Sequence, residues 1–121
     1  MKTNVKDRIK TIEDARKATN RPEVDFSNVP DDMRDFIEGI YNAAVVTEAL
    51  NEGYKPDWND YEPKWYPWFR MSPSAFSCHD SFYVRSHAGA GSGSRLKYPT
   101  EELADYSAKQ FVDIWKKVQL G

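Results

Sequence analysis

The stretch that decides the fold is WYPWFRMSPSAFSCHDSFYVRSHAGAGSGSRLKY, residues 65–98. Side chains of a strand alternate between two faces. Read this way, Trp65, Phe69, Met71, Phe76, Cys78, Phe82, Val84, Leu96 and Tyr98 form an apolar set. Tyr66, Trp68, Arg70, Tyr83, Arg85, His87, Arg95 and Lys97 form an aromatic and basic set with no acid in it. The pattern predicts strands at about 65–71, 75–79, 81–87 and 94–98, with turns at Ser72-Pro73-Ser74, near Asp80 and across 89–93. Pro67 calls for an edge or a bulge, since proline cannot donate a ladder hydrogen bond. A slip of one residue would exchange the faces and turn Arg70, Arg85 and Lys97 inward, which is costly for unpaired charge. The expected sheet therefore keeps them outward.

Helices are expected on either side of this segment. Thr11 and Asp14 fit a capping box at the start of a short helix over 12–18. Met33, Phe36, Ile37, Ile40, Tyr41, Ala44 and Leu50 recur at three and four residues, the spacing of one buried stripe, predicting a helix from about Asp31 to Asn51 that stops at Gly53. Asp31, Asp32 and Asp35 suit the positive end of its dipole. A last helix follows Pro99 from Thr100 to about Val118, with Leu103, Ser107, Phe111, Ile114, Trp115 and Val118 on its inner stripe. The expected fold is α+β: N-terminal helices, an antiparallel sheet of three to four strands, and a C-terminal helix packed on one sheet face. A chain of 121 residues is one domain, 1–121. Within it, 1–10 form a turn or arm, 11–53 the helical part, 54–98 the aromatic loop and sheet, and 99–121 the last helix.

Composition narrows the function classes. The net charge of −2 conceals an imbalance: residues 1–63 carry nine Lys/Arg against fourteen Asp/Glu, and residues 64–121 carry eight against five. A local basic face fits this balance better than general polyanion binding. The single cysteine allows no intrachain disulfide. No apolar run approaches the length of a membrane span, and MKTNVKDRIK lacks the apolar region of a secretory signal, so a cytosolic protein is expected.

Catalytic and metal motifs fall away on geometry. Cys78, His79 and Asp80 are adjacent, and neighbours in a strand point to opposite faces, so they do not converge as a triad must. His79 and His87 supply only two metal ligands. The loop YKPDWNDYEPK, residues 54–64, lacks the alternation, turn glycine and terminal glutamate of a calcium loop. Gly89 to Ser94 is rich in glycine, but neither a Walker lysine nor a helix start follows it. No enzyme and no cofactor are expected.

The aromatic and basic face is the strongest constellation. Tyr, Trp and Arg stack on planar groups, and arginine forks match phosphate oxygens. The candidate ligand-binding residues are Tyr66, Trp68, Arg70, Tyr83, Arg85, Ser94 and Arg95. The same residue types dominate protein interfaces, and a helix or a partner covering the face is the plain alternative.

EALNEGYKPDWNDYEPKWYPWF at 48–69 and SRLKYPTEELADYSAKQFVDIWKK at 94–117 resemble a widespread family of short, functionally uncharacterised proteins from Bacteroidales and their gut phages. The resemblance covers nearly the whole chain, and the glycine expansion at 89–93 is particular to it. It implies a setting more than a function: a phage protein, hence host cytosol, which together with the missing catalytic motifs suggests a non-catalytic binding protein. In that setting the chain is expected to sequester a nucleotide-derived immune signal, as an anti-defence sponge, in a homo-oligomer. Trp68 and Tyr83 would stack a base, Arg70, Arg85 and Arg95 hold phosphates, and Ser94 donate to an oxygen. A protein-interaction or virion-assembly role using the same face is the alternative, with a host protein as partner. Single-stranded nucleic-acid binding is a third possibility, disfavoured by the net charge.

Overall fold

The computed structural model describes residues 4–91 and 93–121; the first three residues of the expected arm and Ser92 of the glycine run lie outside them. The chain runs α1 (Val5–Arg8), α2 (Ile12–Thr19), α3 (Asp31–Asn51), β1 (Lys64–Arg70), β2 (Ser77–Val84), a 3-10 turn (Ser94–Leu96), α4 (Glu101–Gln110) and α5 (Val112–Leu120). This is an α+β fold of N-terminal helices, an antiparallel sheet and C-terminal helices packed on it.

Local chemistry sets the helix ends. Thr11 Oγ1 accepts from the Asp14 amide at 3.1 Å, and Asp14 Oδ2 accepts from the Thr11 amide at 3.2 Å, closing the expected capping box. Asp14 also accepts from the Lys10 amide, the largest influence holding its carboxyl below the usual range. Residues 5–9 are no free arm: Val5 and Ile9 are buried, and the Tyr106 hydroxyl sits 2.9 and 2.8 Å from the Lys6 and Ile9 carbonyls. Helix α3 ends as Glu52 and Gly53 turn to positive φ, 48° and 93°. Its Gly39 lets α5 approach closely, because a Cβ there would lie 2.8 Å from Lys117 Cβ.

The expected single C-terminal helix is two helices, interrupted at Phe111, where φ is −114° and ψ 36°. No proline or glycine marks the break. Phe111 is buried there, against Tyr106, with Trp115 one turn on.

The sheet departs furthest from expectation, having two strands where three to four were predicted. Segments 75–79 and 81–87 are one strand, because Asp80 continues the ladder opposite Trp68 where a turn was expected. Within segment 94–98, Ser94–Leu96 form a 3-10 turn and Tyr98 bridges Trp65 of β1, with N···O distances of 2.9 and 2.8 Å. A bulge follows Trp68: Trp68 pairs with Asp80 and Phe69 with Cys78, leaving His79 extra. It lies one residue beyond Pro67, in line with the sequence.

Residues paired directly across strands share a face. Trp65 pairs with Tyr83, Pro67 with Ser81 and Phe69 with Cys78 on one side; Lys64 with Val84, Tyr66 with Phe82, Trp68 with Asp80 and Arg70 with Ser77 on the other. The first side meets the helices: Ser81 Oγ donates to Asp105 Oδ1 of α4 at 2.5 Å, and the Phe69 ring lies 5.6 Å from that of Trp115. Behind it, fully buried Tyr98 places its hydroxyl 2.9 Å from Thr47 Oγ1 and 2.6 Å from Ser107 Oγ, while Trp115 Nε1 donates to Ser107 Oγ at 3.0 Å. Burial pushes the Tyr98 phenol up to about 12. No helix among the described residues is long and apolar enough to cross a membrane.

Candidate functional site

The register divides the expected ligand-binding residues among three places. Tyr66, Trp68 and Arg70 lie on the outer sheet face, as read from the sequence, but their cross-strand neighbours are Phe82, Asp80 and Ser77. Tyr83 lies on the opposite face, its ring 4.9 Å from Trp65. Arg85 follows the end of β2, its guanidinium 5.1 Å from the Tyr83 ring, with Nη1 donating to the Tyr61 carbonyl. Ser94 and Arg95 belong to the 3-10 turn. One face carrying both Tyr66/Trp68 and Tyr83/Arg85 does not form. The sequence pattern keeps one alternation from Cys78 to Val84, and the bulge that leaves His79 extra breaks it, turning Phe82 and Val84 outward and Tyr83 to the opposite face.

The outer face is aromatic and open at its centre. Trp68 and Phe82 meet edge to face at 4.9 Å, and Tyr66 lies 6.3 Å from Trp68. Trp68 is 48% exposed and Phe82 46%; Met71, past the end of the strand and not assigned to either face by pairing, is also exposed. Phe82 and Met71 were expected in the core. Arg70 and Asp80 supply one charge of each sign on this face, both exposed.

Two lysines close the other end of that face, and both are buried, Lys97 against the expectation that it points outward. Lys64 Nζ donates to the carbonyls of Arg85 at 2.6 Å and Glu62 at 3.0 Å and to Asp60 Oδ1 at 3.1 Å, with the Trp58 ring 5.1 Å away. The acidic loop that superficially suggested a calcium site wraps an ammonium group. Lys64 in turn is the main cause holding the Asp60 carboxyl below its usual range. Lys97 Nζ lies 4.8 Å from the Tyr66 ring, and burial lowers its amine to about 8. The low dielectric that makes unpaired charge costly is met here by oxygen and ring partners.

Ser94 and Arg95 open onto a different feature, a cleft of about 860 Å³ between α2, the C-terminal half of α3, residues 53–56 and the 3-10 turn. Arg8, Arg21, Lys55 and Arg95 reach it from four separate segments, with Glu48 and Glu52 beside them. Arg21 grips both oxygens of Glu48, at 3.0 and 3.2 Å, and Arg8 Nη2 meets Glu52 Oε2 at 2.8 Å. Ser94 Oγ accepts from Trp58 Nε1 at 2.6 Å. Arg8, Arg21 and Lys55 were missed in the sequence because their convergence depends on the packing of α2 against α3.

The sequence candidates for catalysis gain nothing from the fold. The Cys78 thiol is half-buried and raised by burial first and by Asp105 next, the reverse of what activates a nucleophile. Among the described residues no group of three His, Cys, Asp or Glu is placed to hold a metal ion. No family model, curated protein or solved structure matches the chain.

Proposed function

We propose that this is a non-catalytic interaction protein that assembles through the outer face of its sheet, with a second copy of the chain as its first partner. What carries the reading is the open cluster of Trp68 and Phe82, with Tyr66 beside them, on the side of the sheet away from α4. Trp, Tyr and Arg anchors around a desolvated centre are the composition of interface hot spots, and contiguous exposed apolar surface marks interaction sites. A symmetric dimer also needs a self-complementary patch. Arg70 and Asp80 meet that need, since two copies face to face can pair each with the other. The nucleotide reading of this same face loses its support, because Arg85 and Arg95 are not on it.

Sedimentation of the purified protein tests the assembly. The native chain is expected to dimerise, and Trp68→Ala with Phe82→Ala to be monomeric. Arg70→Asp alone and Asp80→Arg alone should each weaken the dimer by at least about tenfold, as like charges meet across it. Combining the two should restore it. A native chain that stays monomeric at high concentration, or a combined variant weaker than either single one, defeats the proposal.

A further inference from the structure

We propose that the cleft bounded by α2, α3 and the 3-10 turn is a second site, independent of the sheet face, that binds a phosphate-bearing small molecule of nucleotide size. Its volume of about 860 Å³ lies within the usual range for small-molecule sites, roughly 300–1,000 Å³. Its charges decide the class of ligand. The C-terminal ends of α2 and α3 border the cleft, and the negative end of a helix dipole attracts bases. That attraction, together with Glu48 and Glu52, accounts for Arg8 and Arg21, whose guanidinium groups are engaged by those carboxylates. Lys55 and Arg95 are surplus. Neither is in an ion pair among the described residues, and both line the same cleft. Their fields converge on Glu48, whose carboxyl is held below its usual range by the Arg21 hydrogen bonds first and also by Arg95 and Lys55.

A phosphate suits this arrangement better than a carboxylate. Arg95 is exposed, and its planar fork can grip two phosphate oxygens, while Lys55 adds a point charge from another segment. Tyr54 and Pro56, both half-buried, line the cleft beside Lys55 and offer a flat apolar wall for an organic ring. Glu48 stands among these cations as the group an incoming anion must tolerate. Its presence sets the affinity below what the bases alone would give.

Titration calorimetry with ADP, and with adenosine as the uncharged control, tests the site. ADP is expected to bind the native chain, and adenosine not to. Arg95→Ala and Lys55→Ala should each weaken ADP at least about tenfold, the cost of one charge-assisted phosphate contact. Glu48→Gln should tighten it by removing the repulsion. Trp68→Ala should leave it unchanged, which separates this site from the sheet face and its failure from that of the assembly reading. Arg95 is exposed on a short turn, and circular dichroism melts confirm that its variant stays folded. Absence of ADP binding up to about 1 mM, equal binding of adenosine, or an Arg95→Ala variant within twofold of the native chain would overturn the proposal.

Discussion

The two faces of the β1–β2 sheet are built from the same residue types and used in opposite ways. On the helix side, Phe69 is buried against Phe76 and Trp115, and behind it the hydroxyls of Tyr98, Thr47 and Ser107 satisfy one another. On the outer side, Trp68 and Phe82 touch each other with nearly half of each side chain in water. Aromatic content therefore does not tell core from surface in this chain. Register says more, because strand pairing assigns the paired side chains of 64–70 and 77–84 to a face at once, although Tyr83 at the end of the helix side stays 45% exposed and Lys64 on the outer side is buried.

Two tryptophans make the sharpest test. Trp115→Ala removes a buried ring and the Nε1 donor to Ser107, and should cost about 3–5 kcal/mol in urea unfolding. Trp68→Ala should change the stability of the monomer by no more than about 0.5 kcal/mol while abolishing assembly. Comparable losses from both would mean that the outer face is core after all. Two smaller effects probe the helix side. Gly39→Ala drives a methyl to within 2.8 Å of Lys117 Cβ and should cost about 1–3 kcal/mol as α3 and α5 are forced apart. Tyr98→Phe removes the hydroxyl that joins Thr47 to Ser107, which keep the Ala43 carbonyl and Trp115 Nε1 as partners, and should cost about 0.5–1.5 kcal/mol.

The contrast also shows what the sequence revealed. The capping box at Thr11 and the span of the long helix from Asp31 were legible because they depend on residues three and four apart. So was the inward stripe of Phe111 and Trp115. But the face that α3 buries runs through Gly39, Ala43, Val46 and Leu50, and Met33 and Phe36 of the expected buried stripe are exposed. The sheet depends on which of two distant segments pairs with which, and here Asp80 misled, since the polar run His79, Asp80 and Ser81 reads as a turn. Asp80 is a strand residue beside a bulge, paired with Trp68. The buried lysines were illegible for a related reason: Lys64 finds its partners in Asp60, Glu62 and Arg85, a set assembled only by the fold. Of the seven expected ligand residues, three share the outer face, two border the cleft, and Tyr83 and Arg85 stand apart from both.

Lys97 sits where the two regions meet, and its titration is the finest probe of their boundary. Its backbone carbonyl accepts from Asn51 Nδ2 at 2.8 Å on the helix side, while its ammonium lies against Tyr66, whose neighbour Trp68 stands on the open face. Burial lowers this amine to about 8 from an ordinary value of 10.5. Between those two values the unfolded chain holds more protons than the folded one, so stability rises with pH across that window. Below about pH 8 both states carry the charge, and the folded state bears the full cost of burying it. Tyr98 acts in the opposite sense from pH 10 upward, because its folded phenol keeps its proton to about 12 and the unfolded one does not. Urea midpoints are therefore expected to climb from pH 8 to about 10 and to fall beyond it. Lys97→Met should abolish the climb and keep the fall. A climb that survives in Lys97→Met would place the titrating group elsewhere, and the lysine would then be as well solvated as its neighbours on the open side.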